Sequence, residues 1–150
     1  MARFRGSGAM AAGALILTMM LPAAAEDDKG YARLEGHGGP VKGLAVSPDG
    51  RLALSASFDT SLGLWSLPAG EHLRWLEGHE AGANAVRFLG DGRALSVGDD
   101  FDLLLWDLEQ GSLLRRLEGH RGKVIGLAVS PDRQQVATAG WDGAIGLWTL

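Results

Sequence analysis

Cysteine is absent from this chain, which excludes disulfides, thiol chemistry and the attachment of a c-type haem within it. Basic residues are outnumbered by acidic ones, 14 against 18. No polybasic run or basic stripe occurs, and this argues against a nucleic-acid or anionic-membrane surface. Also missing are a Gly-x-Ser-x-Gly elbow, a His-Glu-x-x-His pair, a phosphate-cradling glycine-rich loop and a close His/Asp/Glu cluster with metal-ligand spacing. The sequence implies no cofactor. What it has in excess is glycine, 23 residues, spread over turns and over recurring Gly-His steps.

All four methionines fall in the first 20 residues. Arg3 and Arg5 precede an apolar stretch from Ala9 to Leu21, followed by Pro22, Ala23-Ala24-Ala25 and the acidic Glu26-Asp27-Asp28. A basic start, a short apolar core and small residues before a charged segment describe a secretory signal peptide over 1–25, with cleavage after Ala25. The apolar stretch is too short to span a bilayer comfortably. Cleavage would remove two arginines and no acid, leaving a more acidic mature chain. This leader has a bacterial look, so the expected location is the periplasm, with secretion as the second choice and no membrane attachment after cleavage.

From residue 34 onward the sequence repeats itself. Leu34-Glu-Gly-His37, Leu76-Glu-Gly-His79 and Leu117-Glu-Gly-His120 start 42 and 41 residues apart, and the units close on Leu64-Trp65, Leu105-Trp106 and Leu147-Trp148. From the His to an Asp before the Trp is 22, 21 and 22 residues, and from that Asp to the Trp six each time. Four residues before each Asp stands a hydroxyl: Ser55, Ser96 and Thr138. Fixed offsets of these four types suggest one hydrogen-bonded network per unit, because a buried His needs two partners, a hydroxyl donates and accepts, a carboxylate accepts and an indole N–H donates. The sets are His37, Ser55, Asp59, Trp65; His79, Ser96, Asp100, Trp106; and His120, Thr138, Asp142, Trp148.

Short apolar runs bounded by Pro/Gly turns read as strands. Val41–Val46, 85–89 and 124–129 come first in each unit, then 52–56, 94–97 and 136–139, then 62–65, 103–106 and 145–148. A fourth strand is expected at 71–76 and 112–117, and Tyr31 to Leu34 resembles the fourth strand of a preceding unit. The turns are Ser47-Pro-Asp-Gly50, Gly90-Asp-Gly92 and Ser130-Pro-Asp132, with Arg133 replacing the turn glycine in the third unit.

A period in the low forties, with Gly-His near the start and Trp near the end, resembles the WD-repeat (WD40) family of β-propellers. The resemblance implies an all-β fold of three four-stranded antiparallel blades, half or part of a closed propeller. Residues 26–33 would lead into the first outer strand, and 34–75, 76–116 and 117–150 would be the repeats. It also implies that the four-residue sets tie the outer strand to the inner ones. Only Trp106 is followed by the family's usual Asp, Asp107; Ser66 and Thr149 stand there in the other units.

Three His–Ser/Thr–Asp sets invite a hydrolase reading, but recurrence once per repeat together with a Trp fits a structural network. Asp99, Asp100 and Asp102 form a local acidic group; a calcium loop needs more ligands at defined offsets, so a solvated acidic turn is expected. The resemblance places the residue before each network Asp on the partner face, which gives Phe58, Asp99 and Trp141 as partner-binding residues. Trp75 and Phe101 are expected in the core or between blades. The function implied is an exported, non-catalytic scaffold for protein partners, without metal or nucleic acid. The alternative is a propeller module of a larger periplasmic redox protein, such as a cytochrome-c fusion, or of a hydrolytic protein. Twelve strands suit a homodimer closing six blades, and suit equally a fragment whose further blades are missing; the second is favoured here, because terminal repeats of self-standing arrays are atypical and the last unit is not.

Overall fold

The computed structural model describes residues 32–150, all of whose regular structure is β. The expected signal peptide and Tyr31 lie outside the described residues. Eleven strands form three antiparallel sheets in chain order. The first contains β1 (Val41–Val46), β2 (Leu52–Ser57), β3 (Leu62–Ser66) and β4 (Glu71–Leu76). The second contains β5 (Ala83–Gly90), β6 (Arg93–Gly98), β7 (Leu103–Asp107) and β8 (Ser112–Leu117). The third contains β9 (Val124–Val129), β10 (Gln135–Gly140) and β11 (Ile145–Thr149). Each sheet is a meander with neighbours in sequence paired in space.

The third sheet thus has three strands where four were expected. The candidate for the missing edge, Tyr31 to Leu34, precedes the first sheet in the chain, and its described residues 32–34 form no strand.

Alternation along the strands decides what is buried, because successive side chains point to opposite faces. In the second sheet Leu104 and Trp106 join Leu54, Leu62, Leu64 and Val86 in one core. Leu103 and Leu105, on the other face, join Leu95, Val97, Leu127 and Val136 in a second core. The sheets therefore stack face to face with one apolar layer between each pair. The first strands converge, β1 against β5 and β5 against β9. At that convergence a Cβ on Gly43 would stand 2.7 Å from the Asn84 carbonyl oxygen, so glycine alone fits.

The first hairpins of the first and third sheets are each held by their own turn. Ser47 Oγ donates to Asp49 Oδ1 at 2.6 Å, the same carboxylate accepts the Arg51 N–H at 3.0 Å, and the Leu52 N–H reaches Ser47 Oγ at 2.8 Å. Ser130 and Asp132 repeat this arrangement. Gly50 takes φ 71° there, and Arg133, its counterpart, takes φ 61°. A left-handed backbone costs a residue with a Cβ roughly 1–2 kcal/mol. Arg133→Gly should therefore raise stability by about 0.5–1 kcal/mol, read as a higher urea midpoint at unchanged slope.

Candidate functional site

Each of the three sets converges. His37 Nδ1 lies 2.9 Å from Asp59 Oδ2 and its Nε2 lies 2.6 Å from Ser55 Oγ, to which Trp65 Nε1 donates at 2.8 Å. In the second sheet the distances are 2.7 Å from His79 to Asp100, 2.7 Å to Ser96 and 2.8 Å from Trp106 to Ser96. In the third they are 2.9 Å from His120 to Asp142, 2.7 Å to Thr138 and 2.9 Å from Trp148 to Thr138. A carboxylate can only accept, so Nδ1 carries a proton and donates to it, and in the neutral ring Nε2 accepts from the hydroxyl.

Local sequence explains why a Gly precedes each His. A Cβ on Gly78 would stand 2.7 Å from the Trp106 ring, and one on Gly119 would stand 2.8 Å from the Trp148 ring. The indole thus lies flush on the loop that delivers the imidazole. The Asp fastens the same loop from the other side, accepting the backbone N–H of Gly38 at 2.7 Å, Glu80 at 3.0 Å and Arg121 at 2.8 Å. One carboxylate therefore joins the loop entering a sheet to the turn between its second and third strands.

Chemically, Asp–His–Ser is the order of a nucleophilic relay. Ser55 and Ser96 are nevertheless buried, and each hydroxyl oxygen already accepts the indole N–H of its set. The arrangement holds a hydroxyl rather than presenting one. Among the described residues no group of three or more His, Asp or Glu side chains gathers at metal-holding distance.

The carboxylates of these sets are held in their charged form. Burial opposes ionisation of Asp59, but hydrogen bonds from Ser61, His37 and the Gly38 N–H outweigh it and hold the group well below the usual carboxylate range. The same balance acts on Asp100, where burial is countered chiefly by His79. The Arg121 N–H and His120 hold Asp142 at about 2. A depressed carboxyl contributes stability above its unfolded value, about 3.9, and that contribution is lost as pH falls through the folded value. Stability should therefore decline from about pH 4 toward about pH 2, and urea midpoints recorded across that window check it.

The acidic turn of the second sheet differs from the solvated turn expected. Asp99 accepts from Asn84 Nδ2 at 2.7 Å and Lys123 Nζ at 2.6 Å. Asp100 belongs to its His, and Asp102, itself buried, is bound by Arg116, which also donates to the Gly78 carbonyl at 2.6 Å. Every carboxylate there has a partner, because Lys123, Arg116 and Asn84 arrive from other strands and loops. Phe101, expected in the core or between blades, is exposed and has φ 74°, since the turn after Asp100 points it outward. Trp75 is partly buried, edge-on to His37 at 4.7 Å between ring centroids and 4.0 Å from His72.

Phe58, Asp99 and Trp141 occupy equivalent places just after the second strand, where their N–H groups donate to the carbonyls of Pro40, Gly82 and Lys123. Phe58 is 55% and Trp141 70% exposed, while Asp99 is largely covered. Two lysines join them. Lys42 Nζ stands 5.9 Å over the Phe58 ring, and Lys123 Nζ stands 5.6 Å over the Trp141 ring while bound to Asp99. Burial opposes ionisation of Asp99, and Lys123, Asn84 and more distantly Lys42 outweigh it. The result is a row running Phe58, Lys42, Asp99, Lys123, Trp141. Asn84 stands behind it with its buried Oδ1 unpaired. The lysines were not singled out from sequence, because they sit at different offsets in their repeats.

The family model described as WD domain, G-beta repeat matches residues 29–66, 70–107 and 111–149. The second and third matched units begin just before an outer strand, β4 and β8, and end on a third strand, so each straddles two sheets; the first ends on β3. Among curated proteins, "Protein hir-1" of Neurospora crassa is 36% identical over 67 residues, 45% of this chain and 6% of its own length. The "SAGA complex/transcription factor TFIID complex subunit Taf5" of Schizosaccharomyces pombe is 50% identical over 42 residues, 28% of this chain and 6% of its own length. The aligned stretches span only that small part of either relative.

Proposed function

Because the chain belongs to the WD40 family of G-beta repeats, we propose that it is an exported, non-catalytic scaffold that docks protein partners on the row from Phe58 to Trp141. WD40 repeats are interaction modules, and one of the two relatives is by its name a subunit of complexes. The observation that carries the reading is the pair of exposed aromatics at one structural offset, each beneath a lysine ammonium. Solvent-exposed Trp and Phe beside charge form the kind of surface on which a few residues supply most of the binding energy. The three His–Ser/Thr–Asp–Trp sets are the structural frame of this surface. Export to the periplasm rests on the Arg-rich start, the short apolar stretch and the Ala-Ala-Ala site at 23–25.

Phe58→Ala combined with Trp141→Ala tests the docking row, leaving Asp99 alone because its bond to buried Asn84 has a structural share. Loss of two anchors worth about 1–2 kcal/mol each should weaken partner capture by roughly tenfold or more, with the melting temperature unchanged. Proteins retained by wild type and variant are compared side by side with thermal melts. Equal retention, or a collapse of the melt, would make these residues packing residues instead.

A further inference from the structure

We propose that the protein segment docked on the row from Phe58 to Trp141 is acidic, a short run of carboxylates facing Lys42, Lys123 and Arg87, with apolar residues before and after it covering Phe58 and Trp141. This rests on the row being a docking surface and adds what the row selects. The selection follows from which charges the fold has already paired. Asp99, the carboxylate of the row, accepts from Lys123 Nζ on one oxygen at 2.6 Å and from Asn84 Nδ2 on the other at 2.7 Å, and its side chain is 10% exposed. An incoming cation finds no open acceptor there and meets two ammonium groups first.

The cations are not paired to the same extent. Among the described residues Lys42 forms no salt bridge, and its ammonium stands over the Phe58 ring instead. A ring face attracts an ammonium without cancelling its charge. Lys123 shares its charge with Asp99, yet its side chain stays half-exposed over Trp141. The converging first strands β1, β5 and β9 contain two charged residues, Lys42 and Arg87, and both are basic. Arg87 is exposed and gives one N–H to the Val86 carbonyl at 2.7 Å, which leaves most of its five donors open. It lies three residues along β5 from Asn84, roughly 10 Å at the rise of a strand, so the positive charge of the row continues onto the first strands. The carboxylates next to the aromatics are engaged inside their own sets, Asp59 with His37 and the Gly38 N–H, Asp142 with His120 and the Arg121 N–H.

A buried acceptor points to a peptide as the source of the anion. Asn84 is 7% exposed, and its Oδ1, the other end of the amide that holds Asp99, is buried without a partner. An unpaired buried acceptor is costly. An extended segment laid along the row brings main-chain N–H groups beside its carboxylates, and such a group is the donor this amide lacks. A nucleic-acid backbone fits less well, because the chain carries more acids than bases, 18 against 14, and three cations make no stripe that could track a run of phosphates.

The probes are three fluorescein-labelled peptides, identical except for a central Glu-Glu-Glu, Gln-Gln-Gln or Lys-Lys-Lys between Leu-Trp and Phe-Leu, titrated with the full chain by fluorescence anisotropy. The Glu peptide should bind roughly tenfold tighter than the Gln peptide, the Lys peptide should not bind, and the preference should shrink as salt is raised. Lys42→Gln with Arg87→Gln should abolish the preference and keep the melting temperature, because neither side chain has an ion pair to lose. Lys123 is left in place, since Asp99 depends on it. Phe58→Ala with Trp141→Ala should weaken the Glu and Gln peptides alike. Equal binding of those two peptides, still weakened by the aromatic variant, would overturn the acidic preference and leave the docking row standing. Binding indifferent to the aromatic variant would remove the row and this proposal with it. Failure of the Glu peptide to bind, or its displacement by inorganic phosphate or oligothymidylate as readily as by unlabelled peptide, would overturn the proposal too.

Discussion

Trp106→Ala is expected to lower the unfolding free energy by about 4 kcal/mol, the largest effect of any single substitution considered. The indole is fully buried in the layer between the first and second sheets. Its Nε1 donates to Ser96 at 2.8 Å, and its ring edge lies on the loop carrying His79. Truncating a buried Trp or Phe costs about 3–5 kcal/mol, combining lost transfer energy with the cavity left behind. Trp106→Phe is a milder truncation: it removes the N–H and part of the bicyclic ring but keeps most of the volume, so about 1–2 kcal/mol should be lost. Trp148→Ala is the internal control, since its ring performs the same bond to Thr138 at 2.9 Å but lies in the end sheet and is only partly buried. Urea titrations of all three should rank Trp106→Ala worst. Equal losses at Trp106 and Trp148 would mean that the hydrogen bond, not the packing, sets the cost.

That contrast shows what the sequence could carry. The four polar or amphipathic types return at nearly constant offsets, and a hydrogen bond between fixed partners requires constant offsets, so the three sets were legible without coordinates. The strands were legible for a related reason, since short apolar runs between Pro/Gly turns have few other ways to bury themselves. Strand ends were less so: β5 begins at Ala83, two residues earlier than the apolar run suggests, with register shifts at both its ends. Bulges of this kind come from packing against the neighbouring strand, which a linear pattern does not record.

The acidic turn was misread for a different cause. Asp99, Asp100 and Asp102 look like free charge when only their neighbours in sequence are considered. Their cations come from 14 to 24 residues away, in Arg116 and Lys123, and neither has a matching residue in all three repeats. A bond made once leaves no periodic trace. The same holds for Lys42 over Phe58, which turns two scattered aromatics into one row. Unique features of a repeat protein are therefore the hardest to foresee.

Asp100→Ala is the second large expectation, a loss of about 3 kcal/mol. Its side chain is 5% exposed, and it accepts from His79 at 2.7 Å and from the Glu80 N–H at 3.0 Å, with Arg116 at 3.8 Å. Removing it strands the buried His79 Nδ1–H, frees the more exposed Glu80 N–H and leaves Arg116 one anion short. Each stranded buried group costs about 1–3 kcal/mol. Asp100→Asn should recover part of the loss, since an amide oxygen still accepts from His79 while the charge is gone. Asp59→Ala should cost less than Asp100→Ala, because Asp59 is more open to water and its orphaned donors can be rehydrated. Chemical denaturation of the three variants against wild type reads the order directly. If Asp100→Ala proved as mild as Asp59→Ala, water would have to reach His79, and the middle sheet could not be the closed centre of the stack that its buried Trp106 and Leu104 describe.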